Sequence, residues 1–159
     1  MNSPQTMAWH RSQSALAAAV CALGLCAMNE AQAEESHSAF FTHAASCTAA
    51  HKAEVEALRK TWAPGKTALR EAILRQTVTG FTFVAVSYKL GLRNPQADDL
   101  LKAAEEDHKA LSAAEHQARL AACTAEGNKL FQHLSSAERW FIENRSNARV
   151  DKLLAPKDS

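Results

Sequence analysis

Apolar residues recur at steps of three and four along most of the chain beyond residue 40, the spacing of helices that bury one face. Phe40, Ala44, Cys47, His51, Val55, Leu58 and Trp62 share one side of a first helix, which should end before Ala63 because Pro64 restricts its predecessor. A second helix is expected from about Thr67 to Leu90, with Leu69, Ile73, Phe81, Val84 and Tyr88 among its apolar positions. Val78 to Tyr88 is rich in β-branched and aromatic residues and also reads as a strand. No partner strand exists elsewhere, and a lone strand is unstable, so helix is preferred.

A third helix opens at Asn94-Pro95, an N-cap followed by proline at the first helical position, with Asp98 and Asp99 placed to favour the helix dipole. Its end has two readings. Gly127 terminates it as a C-cap, or it continues to Leu134, where Ser135-Ser136-Ala137-Glu138 offers a capping box for a fresh start. A fourth helix then runs from Ser136 to about Leu154 with Ala137, Phe141 and Ala148 turned inward. The expected architecture is all-α, a four-helix up-down bundle with a long third helix.

The start of the chain has a different pattern. His10 and Arg11 precede an apolar run from Ala15 to Met28, and Ala31-Gln32-Ala33 is an A-x-A cleavage site, so residues 1–33 read as a cleavable signal peptide and 34–159 as a single helical domain. The apolar run is shorter than the roughly 20 residues that span a bilayer, so no membrane span is expected after cleavage. Cys21 and Cys26 fall inside the run behind Val20 and Leu25, not behind the small residue that lipoprotein processing favours, and both are expected to leave with the signal. The implied location is exported, periplasmic or secreted.

Composition supports a packed domain and narrows its partners. Hydrophobic residues make up 47% and charged residues 22% of 159, ordinary for a globular chain. The formal net charge of +1 offers no basic surplus, which argues against nucleic acid. Beyond the signal only Cys47 and Cys123 remain, and an even pair in an oxidising compartment is read first as a disulfide. Geometry then selects between the two readings of the third helix. In an up-down bundle the first and third helices are parallel, and Cys47 lies about 22 Å below the end marked by Trp62. With the third helix stopping at Glu126, Cys123 sits about 4 Å below that end, too far away to bond; with the helix running to Leu134 it drops to about 16 Å, and the bond becomes feasible. His116, Leu120, Cys123, Gly127, Leu130 and Leu134 then form one inward seam, and Gly127 allows close helix approach. The closed loop stabilises the fold by about 4–5 kcal/mol in the chain-entropy model.

Candidate chemistry is sparse. His43-x3-Cys47-x3-His51, with His116 and Cys123, could compose a nitrogen and sulfur site for zinc or copper, but a disulfide would remove both thiolates from it. Glu105-x-x-His108 has the spacing of di-iron helices yet occurs once, and its neighbours Glu106, Asp107 and Lys109 suggest a solvated face. All three methionines lie at positions 1, 7 and 28, which leaves the mature chain without a thioether ligand. No C-x-x-C, haem-attachment, phosphate-loop or nucleophile-elbow motif occurs. Trp62 and Trp140 are expected at one end of the bundle, as an aromatic plug or a partner-binding patch. The sequence therefore favours a non-enzymatic helical binding module without a cofactor, its partner a protein or small molecule. The alternative is a metal-binding or metal-sensing bundle using His43, Cys47, His51, His116 and Cys123.

Overall fold

A computed structural model describes residues 14–155, with side chains from residue 37 onward. Five helices account for it, with no strand among the described residues: α1 (Ser14–Lys60), α2 (Thr67–Lys89), α3 (Gln96–Lys109), α4 (Ala113–His133) and α5 (Ser136–Leu154). The chain forms two units that part between Ser38 and Ala39, and the packing below is that of the second. Within the expected signal segment, residues 1–13 and all side chains lie outside the described residues. No helix among the described residues is long and apolar enough to cross a membrane.

Local chemistry explains the boundaries. After α1 the chain turns through Pro64 and Gly65, the latter at φ +86°. α2 takes in the whole of Val78–Tyr88 and ends in a Schellman motif: Gly91, at φ +108°, donates its N–H to the Tyr88 carbonyl, and Leu92 donates to Ser87. Leu92 is buried beneath it. Asn94 does not cap α3. The Asn94–Pro95 bond is cis, Pro95 occupies the cap position, and the Asn94 side chain instead accepts a hydrogen bond from the Tyr88 hydroxyl.

The expected long third helix is two helices. Ser112 caps α4 with a full capping box: its hydroxyl accepts from the Glu115 N–H at 3.3 Å, and Glu115 accepts from the Ser112 N–H at 2.8 Å. The same device at Ser135 and Glu138 opens α5, as the sequence indicates. No glycine or proline marks the first break, only this serine and glutamate three apart.

One additional reversal inverts everything after it. His43 meets Glu126 and Glu54 meets His116, so α4 runs antiparallel to α1 and not parallel as expected. Phe41 to Thr48 of α1 share one shallow cleft with Ala97 to Leu101 of α3, and further along both helices Lys52 reaches Glu105, so the short α3 is parallel to α1. Arg70 pairs with Asp151 and Lys89 with Glu138, making α5 antiparallel to α2 and parallel to α1. Trp140 therefore sits at the Lys89 end of the bundle, opposite the end where Trp62 follows α1. The expected shared aromatic end does not form.

α2 occupies the centre of this unit. Its buried face is Ile73, Thr77, Thr79, Gly80, Thr82, Phe83 and Ser87, an unusually polar set. Thr77, Thr79 and Thr82 each donate their hydroxyl to the carbonyl four residues back, so these groups are satisfied within the helix and present methyl groups outward. Two apolar clusters flank them: Ala44, Cys47, Phe83 and Cys123 with Phe40 and Leu130, and Val55, Ile73 and Val150 with Leu58, Leu69, Leu153 and Leu154. On α5 the buried residues are Ile142, Ser146 and Val150; Ala137, Phe141 and Ala148 are exposed, so the inward face is rotated from the expected one. α3 buries no residue at all.

Gly127 is where α4 touches α2. A Cβ there would overlap the Thr79 γ-methyl and stand 3.0 Å from Phe83 Cε2, and the Thr79 rotamer is held by its hydroxyl bond to Arg75. Gly127→Ala gains about 1 kcal/mol of helix propensity but incurs overpacking of about 1–3 kcal/mol. The expected result in urea denaturation is a net loss of stability, with the far-UV spectrum unchanged.

Candidate functional site

Three places gather polar or aromatic chemistry. The first is the crosslink. Cys47 and Cys123 are bonded, with S–S 2.05 Å and Cα atoms 5.3 Å apart, and both residues are buried. The expected pair is correct, although the alignment that permits it is antiparallel. On its outer side His43, one turn before Cys47, places Nε2 3.6 Å from the Cys47 sulfur and donates to Glu126 Oε2 at 2.7 Å. These two side chains are 49% and 41% exposed, so they stand between the buried sulfurs and solvent. Glu126 escaped the sequence reading because its partnership depends on the antiparallel direction of α4.

On the inner side His51 is buried, stacked on Phe83 at 6.4 Å and packed against Gly80, where an added Cβ would stand 3.4 Å from the His51 Cβ. Its Nδ1–H donates to Gln76 Oε1 at 2.6 Å, while Nε2 is buried with no hydrogen-bond partner. Burial is the largest influence on this imidazole and lowers its pKa, opposed by the bond to Gln76, by the Cys123 backbone, which lies close to the ring but outside hydrogen-bonding geometry at Nε2, and by the Glu54 carboxylate.

The second place joins α1, α3 and α4. His116 donates from Nε2 to Glu54 Oε2 at 3.4 Å, and its ring meets His108 edge to face at 4.8 Å. The Nδ1 atoms of both histidines are buried without partners. His108 is thus part of a helix contact, while its neighbours Glu106, Asp107 and Lys109 are the expected solvated face, with Lys109 paired to Glu106. Burial lowers its pKa, helped by His116 and Arg119. Its neighbour Glu105 accepts from Lys52 at 2.7 Å, so the pair does not converge as a ligand set. The five residues of the metal alternative also do not meet at one point: His116 is at Glu54, His51 is held by Gln76, and the sulfurs are bonded to each other. Among the described residues no group of three or more His, Cys, Asp or Glu side chains is arranged to hold a metal ion.

The third place is the start of α5. Trp140 is 66% and Phe141 53% exposed, the most exposed of the large apolar side chains among the described residues. Phe141 borders a shallow apolar depression with Ala85, Leu134, Ala137 and Ile142, and the Arg145 guanidinium lies over its ring, 5.4 Å from the centroid. Beside it, Ser135 and Lys89 together hold the Glu138 carboxyl down to about 2. Comparison with known proteins finds no matching family model, curated protein or solved structure.

The two histidines make a pH prediction. Their folded-state pKa values lie below the ordinary 6.5, so the fold favours the neutral rings. Their contribution is complete above the unfolded value and is lost as pH falls from about 6.5 through the lower folded values. The melting temperature is expected to be flat above neutrality and to drop on acidification through this window. His51→Gln should flatten that drop, and an unchanged pH profile would show that His51 does not cause it.

Proposed function

We propose that this chain is an exported, non-enzymatic helical interaction module that binds a protein partner through the aromatic face at the start of α5. The observation supporting this reading is the exposure of two consecutive aromatic residues, Trp140 and Phe141, the second of which borders an apolar depression. A lone exposed aromatic residue is ordinary, but a large exposed pair beside a depression is the composition of an interface hot spot. Arg145, stacked on Phe141, adds a positive charge on the rim, which suits a partner offering an apolar side chain flanked by carboxylate. The buried disulfide supports export, since such bonds persist in oxidising compartments. Trp62, half-buried at the other end of the bundle, has no part in this face.

The test is quantitative binding after crosslinking and mass spectrometry in the native extract identify the partner. Trp140→Ala and Phe141→Ala are each expected to weaken the complex by about 2 kcal/mol or more, roughly thirtyfold, while leaving the melting temperature nearly unchanged. Equal affinity for wild type and both variants would overturn the reading.

A further inference from the structure

The outer side of the disulfide holds a set of donors that the bond itself keeps out of use. Cys47 and Cys123 supply two sulfurs, His43 places Nε2 3.6 Å from the first of them, and Glu126 Oε2 lies 2.7 Å from the same nitrogen. We propose that reduction of the Cys47–Cys123 disulfide converts this cluster into a four-coordinate zinc site with Cys47, Cys123, His43 and Glu126 as ligands. The proposal is independent of the aromatic face on α5.

Geometry favours this set over the one read from sequence. Zinc with bonds of about 2.3 Å to sulfur and about 2.0–2.1 Å to nitrogen separates the two donors by about 3.6 Å along a tetrahedral edge, which is the spacing of Cys47 Sγ and His43 Nε2. Two movements remain. The sulfurs separate once their bond is broken, and Glu126 draws back slightly from His43. The backbone already suits the pair, with Cα atoms 5.3 Å apart on adjacent antiparallel helices. His51 and His116 are outside the set, because the first is fixed by Gln76 on the inner side and the second is occupied by Glu54 two turns away along α4. Half-exposed His43 and Glu126 give an ion a route from solvent.

The chemistry balances with a dithiol reductant. Two electrons and two protons pass from the dithiol to the disulfide, leaving Cys47 and Cys123 as thiols and the reductant as its own disulfide. Zn2+ then displaces the two thiol protons, which leave to solvent, and binds neutral His43 at Nε2, the ring proton passing by exchange with solvent to Nδ1. Bound metal would oppose reoxidation, because each sulfur is then coordinated as thiolate.

The experiment is anaerobic titration with Co2+ as the spectroscopic stand-in for zinc, on the full chain reduced by a phosphine and on the untreated disulfide form. The reduced protein is expected to take up one equivalent with thiolate-to-cobalt charge transfer and the intense visible bands of tetrahedral cobalt, and Zn2+ should bleach both. The disulfide form should show neither. His43→Gln and Glu126→Gln, both at half-exposed positions, are each expected to weaken binding at least about tenfold, whereas His51→Gln and His116→Gln should not. Circular dichroism on the same samples covers loss of structure: a reduced chain that has lost helix should regain it on adding one equivalent of metal. The proposal fails if the reduced protein gives no charge-transfer band, if helix lost on reduction does not return with metal, or if His43→Gln and Glu126→Gln bind as tightly as wild type.

Discussion

Phe83→Ala is expected to lower the unfolding free energy by about 3–5 kcal/mol, the largest effect of any single truncation in this domain. Phe83 is completely buried, and with Ile73 it supplies nearly all the large apolar volume on the inward face of α2. It packs on Ala44, Cys47 and Cys123, stacks with His51, meets His43 edge to face and lies against Gly127. The cost depends on how far the neighbours can close the void. Here they are a disulfide, a glycine contact and threonines whose hydroxyls are fixed to their own helix, and none can move in to fill it. Urea denaturation with an unchanged m-value checks this. A loss under about 1 kcal/mol would mean that the cavity collapses and that the packing around Phe83 is looser than described.

The second large effect is loss of the crosslink. Cys47→Ala with Cys123→Ala is expected to reduce stability by about 2–5 kcal/mol, because the bond spans a sequence separation of 76 and restricts the unfolded chain over about half its length. Most of this effect lies in the unfolded state, so the double variant should keep its helicity while its denaturation midpoint falls. Each single variant should lose about as much as the double, since either one breaks the bond. Additive losses would indicate a packing role for the individual side chains.

The all-helical class and the buried seams of α1 and α4 were legible because a 3.6-residue period carries the burial of Ala44, Cys47, His51 and Val55 and of Leu120, Cys123 and Gly127. Chain direction was not. Ser112 and Glu115 lie in an alanine-rich stretch whose propensity favours uninterrupted helix, and only their capping chemistry breaks it. That one turn sets the sense of α4 and α5, and with it the Glu126 partner of His43 and the end at which Trp140 emerges. Parallel and antiparallel alignments can both bring Cys47 to Cys123, so the correct pairing concealed the wrong direction. On α5 the period was visible but its phase was not. Hydrophobicity places Phe141 inward, whereas the fold buries Ile142 and the smaller Ser146 and leaves Phe141 beneath Arg145. In the sulfur cluster His43 and Cys47 were legible as a helical pair, and Glu126 was not, since nothing local to it in sequence marks a contact across helices.

An odd number of helices places the two ends of the second unit at opposite poles. Leu154 leaves beside the Leu58 and Leu69 cluster, about 20 Å along the α5 axis from Trp140. A tether attached behind Leu154 would therefore hold the molecule on a solid support with its tryptophan turned to the bulk phase, while anchoring at Ala39 itself would bring the tryptophan toward the support.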